Sequence, residues 1–161
     1  MEIRRIRPGD LEALRTLRLR ALATDPDAFG ERLEQATIRP DADWRAWTEA
    51  PERGVFVAFD DRARFVGMAV GSPVVEREQT VGLYGMWVAP ETRGQGIGAG
   101  LIEAVEGWAR LAGYETIGLG VTTTNHPAIR LYERMGYADT GERHPLREGS
   151  DLTIQVMGKR L

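Results

Sequence analysis

The chain has no cysteine, a single lysine, two serines, two histidines and no long apolar run. The lack of cysteine excludes disulfides, thiolate metal sites and a cysteine nucleophile. The single lysine, Lys159, is the third residue from the end of the sequence, which argues against Schiff-base chemistry. Neither Ser72 nor Ser150 stands in a Gly-x-Ser-x-Gly elbow, so covalent serine catalysis is not expected. His126 and His144 share no ligand spacing, and no metal is expected. No stretch approaches the roughly 18 apolar residues of a membrane span, and the opening Met-Glu-Ile-Arg-Arg enters a strand pattern at once, without a signal-peptide core. No membrane partner and a cytoplasmic location are therefore expected. An excess of basic charge is also missing: the net charge of −3 and pI near 5.5 argue against a nucleic-acid partner.

What is present describes an ordinary globular protein, 42% apolar and 28% charged. Its 161 residues suit one domain, 1–161, burying about two-thirds of its unfolded surface. Residues 2–7 read as a strand stopped by Pro8-Gly9, and Asp10 is placed to cap a helix with Leu11, Leu14, Leu17, Ala21 and Leu22 on its apolar side. Asp25-Pro26-Asp27 breaks that helix, and 25–40 reads as mostly irregular, anchored by Phe29-Gly30. A short helix over 41–50 carries Trp44 and Trp47, which either pack it on the sheet, the favoured reading, or line a pocket. A hairpin over 54–59 and 64–71 turns at Asp60-Asp61-Arg62, and a strand follows at 81–88. Ile97, Leu101, Val105, Trp108 and Ala112 mark one face of a helix ending at Gly113. A strand at 116–122, a helix from 126 to 135 and strands at 137–143 and 152–158 complete the chain. The fold class is α/β, an α+β mixed sheet flanked by about four helices.

Residues 87–100 carry the chemistry. A strand ends at Pro90, Arg93 opens a run with glycine at 94, 96, 98 and 100, and a helix follows without a break. Several amides with little side-chain bulk in front of them then converge on a helix N-terminus, an anion site suited to phosphate. Gly94-x-Gly96-x-x-Ala99 with Glu115 downstream fits the dinucleotide fingerprint of a nicotinamide-dependent oxidoreductase, but a hairpin precedes it and Glu115 falls before its strand. A Walker A loop is excluded, because no Gly-Lys-Ser/Thr occurs.

Arg93-x-x-Gly96-x-Gly98 fits better as the signature of the GNAT superfamily of acyl-CoA-dependent N-acyltransferases, which this sequence resembles. Met86-Trp87-Val88-x-Pro90 resembles that family's central strand, and Asn125-x-x-Ala128-x-x-Leu131-Tyr132-x-x-x-Gly136-Tyr137 its second block, at the expected spacing. The resemblance implies two middle strands that splay, 81–88 and 116–122, with acetyl-CoA as co-substrate in the gap. Backbone groups of Met86, Trp87 and Val88 would hold the pantetheine arm. Arg93, Gly94, Gln95, Gly96, Ile97, Gly98 and Ala99 would hold the pyrophosphate. Asn125 is either a helix cap or a cofactor contact. Tyr132 reads by residue type as core, whereas the resemblance implies a hydroxyl that protonates the departing thiolate. The acceptor would be a primary amine of a small molecule, peptide or protein, and a homodimer is possible by family habit. Some family members carry a general-base glutamate where this chain has Gly120, which leaves Glu34, Glu76, Glu78 or a water chain past Tyr84. A catalytically silent acyl-CoA-binding regulatory module is the alternative. The acceptor pocket is expected from Asp25 to Pro40, the Trp44 helix and the loop from Pro145 to Ser150.

Overall fold

The computed structural model describes residues 1–161. In chain order the elements are β1 (Glu2–Arg5), α1 (Leu11–Thr24), α2 (Leu33–Thr37), α3 (Asp41–Glu49), β2 (Gly54–Phe59), β3 (Phe65–Pro73), β4 (Thr80–Val88), α4 (Ile97–Leu111), β5 (Thr116–Thr122), α5 (His126–Arg134), β6 (Ala138–Pro145) and β7 (Thr153–Arg160). The strands form one seven-stranded sheet in the order β1-β2-β3-β4-β5-β7-β6. Every neighbouring pair is antiparallel except β4 with β5.

That parallel pair is short. Thr80, Val81 and Gly82 face Thr116, Ile117 and Gly118, and there the pairing stops, although β4 continues to Val88 and β5 to Thr122. A Thr80–Thr116 hydroxyl bond of 2.7 Å fastens the closed end. Divergence is driven by an irregularity on the other edge of β4. Met68 pairs with Trp87 and Val70 with Tyr84, so three steps of β4 match two of β3. The extra residue falls beside Gly85, whose φ of +58° favours a residue without a Cβ. Such a bulge bends and twists its strand, turning the second half of β4 away from β5.

Helices cover both faces. A Cβ on Gly71 would fall 2.6 Å from the Trp108 ring and one on Gly67 would reach Leu101, so this parity of β3 faces α4. Val70, of opposite parity, faces Arg18 of α1 across Gly85. Leu14, Leu17, Ala21 and Leu22 of α1, and Ile97, Leu101 and Val105 of α4, are buried as their spacing predicts. Ile102, Glu106 and Ala109 form a second buried row on α4, while Trp108 is only half-buried.

The structure departs from the sequence reading in two places. Asp10 precedes α1 but does not cap it: its carboxylate accepts from the Arg4 guanidinium (2.7 and 3.0 Å) and the Arg7 amide (2.8 Å). The segment 25–40 contains α2, whose start is fixed by the Gln35 side chain accepting from the Arg32 amide at 2.8 Å. There are accordingly five helices, not about four. The predicted turn after β2 holds because the Asp60 carboxylate accepts from the amides of Arg62 and Arg64, both at 2.9 Å.

Glu106 ties α4 to the far side of the sheet. Its carboxylate receives Lys159 Nζ at 2.8 and 2.9 Å, Arg110 at 3.1 Å and the Tyr137 hydroxyl at 3.0 Å. Lys159 also donates to the Met135 carbonyl at the end of α5, 2.8 Å away. Removing the carboxylate leaves the partly buried Lys159 ammonium without its counter-charge and the Tyr137 hydroxyl without its acceptor, so Glu106→Leu is expected to cost about 3 kcal/mol in urea unfolding. The double variant Glu106→Leu/Lys159→Met is expected to recover most of that loss.

Candidate active site

Where β4 and β5 part, a cleft of about 950 Å³ opens, lined by both strands, the glycine loop, α5, the end of α1 and the segment 28–31. Residues far apart in the sequence meet here because the splay leaves one edge of each strand unpaired over its second half. Backbone direction follows from register. The Ala89 amide bonds the Val66 carbonyl of β3 at 2.8 Å, and successive amides along a strand point to opposite edges. The Val88 N–H therefore faces the gap.

The loop after β4 has the form of an anion cradle. No amide from Gly94 to Ala99 donates to a backbone acceptor, and no side chain caps α4. The first helical bond is made by the Gly100 amide to the Gly96 carbonyl, at 3.0 Å. Gly94 and Gly96 have φ of +77° and +81° with open space around a hypothetical Cβ, so glycine is needed there for backbone conformation. At Gly98 a Cβ would sit 2.9 Å from Leu131 and 3.2 Å from Met86, so glycine is needed there for close approach. Six unpaired N–H groups at the positive end of a 15-residue helix suit a diphosphate.

Of the residues singled out in sequence, Met86, Trp87, Val88, Arg93, Gly94, Gly96, Ile97, Gly98, Ala99, Asn125 and Tyr132 all line the cleft. Gln95 does not; it is exposed at the loop tip and offers only its amide. The Ile97 side chain is core, 2% exposed, so its part in the cradle is also its backbone. Asn125 caps α5, accepting from the Ala128 amide at 3.4 Å, while also lining the cleft. Tyr132 is buried edge-on against Tyr137, ring centroids 5.8 Å apart. Burial pushes its hydroxyl above the usual phenol range, so it keeps its proton throughout the neutral range.

Several sequence expectations are not met at this site. Glu34, Glu76 and Glu78 are exposed and do not line the cleft, whereas Tyr84 does. Trp44 is fully buried and neither it nor Trp47 lines the cleft, which settles them as packing residues. Phe29 and Leu146 do contribute from the expected acceptor segments. The loop carrying Leu146 is tied to the segment after α1 by Arg147, which donates to the Phe29 carbonyl at 2.7 Å.

Sequence reasoning named Arg93 and the segment from Asp25 to Pro40, but missed Arg18, Arg134 and the way the cleft charges pair. Asp25, read as a helix breaker, accepts from Trp87 Nε1 at 2.7 Å and from Arg93 at 2.6 Å, and Arg93 Nε donates to the Val88 carbonyl at 2.9 Å. The end of α1 is thereby latched to the strand and to the loop. Glu31 is held by Arg18 and Arg39. Asp25 and Glu31 are the only carboxylates lining the cleft, and both are committed to cations. Of the three cleft arginines, only Arg134 makes no ion pair or side-chain hydrogen bond.

Residues 15–137 match the sequence model of the Acetyltransferase (GNAT) family. Streptothricin acetyltransferase of Streptomyces lavendulae is 30% identical over 92% of this chain and 87% of its own length. Human N-acetyltransferase 8 is 35% identical, with the match spanning 56% of this chain and only 42% of that protein. In three dimensions, a putative acetyltransferase from Salmonella typhimurium, solved with acetyl-CoA, superposes with a TM-score of 0.82 at 22% identity, covering 100% of this chain and 94% of the other.

Loss of the Asp25 latch leaves the Trp87 indole and the Arg93 guanidinium without their shared acceptor. Asp25→Ala is expected to destabilise the fold by about 1–2 kcal/mol in urea titration and to shift tryptophan emission.

Proposed function

Because the chain belongs to the acetyltransferase (GNAT) family, we propose that it transfers an acetyl group from acetyl-CoA, held between β4 and β5, directly to a primary amine. The observation that carries this reading is the row of unpaired amides from Gly94 to Ala99 beside the mouth of the splayed strands. Acetyl-CoA supplies an activated acyl thioester and a diphosphate, and the residues present fit both. The amides and the α4 dipole would take the diphosphate, and Arg134, free of other partners at the rim, a further phosphate. The edge of β4 through Val88 offers strand-like hydrogen bonds to the pantetheine arm.

Each protein group then has a defined task. The Val88 N–H is already aimed into the gap, so it stabilises negative charge developing on the acyl oxygen without reorganisation, worth typically a few kcal/mol. Tyr132 keeps its proton because burial raises its pKa, and it donates that proton toward the thiolate as charge builds on sulphur. Neither cleft carboxylate is free to act as a base, so the acceptor amine must reach the site deprotonated or lose its proton to water. A lysine-type amine near pKa 10.4 costs about 4–5 kcal/mol to deprotonate at pH 7, and an α-amine near 7.8 about 1 kcal/mol. The cleft therefore favours low-pKa amines. A likeness at 30% identity supports the reaction and leaves the acceptor to be defined by the cleft wall. The lack of a free carboxylate also favours a second reading, a binding module without turnover.

Calorimetry with acetyl-CoA, CoA and NAD, followed by thiol release across an amine series, tests the proposal. Expected are tight binding of the two CoA compounds, none of NAD, and turnover with at least one amine. Binding without thiol release would select the silent module.

Tyr132→Phe is expected to reduce kcat by about 10²–10³ with little change in acetyl-CoA affinity; an unchanged kcat removes Tyr132 from catalysis. The rate should climb with pH as the amine deprotonates and show no alkaline loss below about pH 10, because Tyr132 titrates above the usual phenol value of about 10.

A further inference from the structure

The wall of the cleft opposite the glycine loop carries more positive charge than its partners neutralise. Arg18 directs both Nε, at 3.2 Å, and Nη2, at 2.9 Å, to one oxygen of Glu31. Arg39 takes the other oxygen. Two guanidiniums thus share a single carboxylate. Arg18 is 6% exposed, yet its buried Nη1 has no hydrogen-bond partner. The guanidinium carbon lies over two rings, 4.6 Å from the centre of Phe29 and 5.5 Å from that of Trp47. Nη1 lies 3.6 Å from where a Cβ on Gly85 would stand, beside the bulge at which β4 turns from β5. Arg18, Glu31, Phe29 and Gly85 all line the cleft.

An unused donor on a desolvated cation is unfavourable unless a ligand completes it. Burial lowers the Arg18 pKa to about 10, which still leaves it charged at neutral pH. Glu31 gives one oxygen to Arg18 and the other to Arg39, so neither is left free to receive a proton from an amine. This corner is therefore built to bind an anion, not to deprotonate an amine.

Resting on the acetyl-transfer reading, we infer that Arg18 anchors the acceptor, and that the acceptor is an amine which also bears a carboxylate. The carboxylate pairs with the guanidinium edge that Glu31 leaves free, and the amino group is thereby presented to the acyl carbon near Val88. Arg18 sets specificity and takes no part in proton transfer.

The test uses acceptor pairs that differ only in this charge, such as glycine against glycinamide and lysine against lysinamide, with thiol release from acetyl-CoA as the rate. In a second readout, the N-acetyl acid and the N-acetyl amide are titrated calorimetrically into the protein saturated with CoA. Comparing acid-to-amide ratios between the wild type and Arg18→Met cancels the intrinsic reactivity of the amines. The ratio of kcat/KM values is expected to fall at least about tenfold in Arg18→Met, with acetyl-CoA KM unchanged, and to fall less in Arg18→Lys. The N-acetyl acid should bind the wild type and bind Arg18→Met at least about tenfold more weakly. Glu31 keeps Arg39 in these variants, and a thermal melt together with acetyl-CoA binding verifies their fold. If the ratio is the same in wild type and variants, or the N-acetyl acid binds wild type and Arg18→Met equally, the anchor is overturned while acetyl transfer stands. If no amine of either kind releases thiol, the acetyl-transfer reading fails and this inference goes with it.

Discussion

Three register pairs hold β4 to β5, and everything functional in this protein depends on there being no fourth. A parallel pair that continued to Val88 would satisfy the edge amides and close the sheet. The bulge at Gly85 prevents this by spending one residue of β4 out of step with β3. The unpaired edges that result cost hydrogen bonds, and the cleft they border is where a ligand with strand-like amides can restore them. The glycine loop continues the same logic, because the amides from Gly94 to Ala99 also await an external acceptor.

Charge is handled differently on the two walls. At the loop, the latch from Asp25 to Trp87 and Arg93 neutralises the arginine side chain and leaves the backbone as the anion-binding surface. Across the cleft, Arg18 and Arg39 divide one carboxylate and leave a cation short of a partner in a desolvated position. The first arrangement stiffens the site. The second leaves an electrostatic demand for an incoming anion.

What the sequence revealed, and what it hid, follows from how local each signal is. The glycine run, the hairpin at Asp60 and the apolar face of α4 are each encoded in one contiguous stretch, and each appears at or within a few residues of its expected position. The two blocks ending in Gly98 and Tyr137 placed both strands of the cleft. The helix α2 escaped because its five residues give no periodicity and its start depends on one Gln35 side chain. The Asp25–Trp87 bond joins residues 62 positions apart and leaves no pattern in either neighbourhood. Arg18 sits on α1 among other arginines, and only packing against Phe29 and Trp47 distinguishes it. Asp10 shows the reverse failure: a residue of the right type in the right place, recruited by Arg4 instead.

Lys159 has a bearing on the chemistry that goes beyond stability. It is the only side-chain primary amine in the protein, and its ammonium group is locked against both oxygens of Glu106 and the Met135 carbonyl. All three of its N–H bonds are directed at acceptors inside the fold. Every other side-chain cation of the lysine or arginine type is an arginine, which carries no primary amine. Its single side-chain amine is therefore already bound within the fold, at Glu106 and Met135.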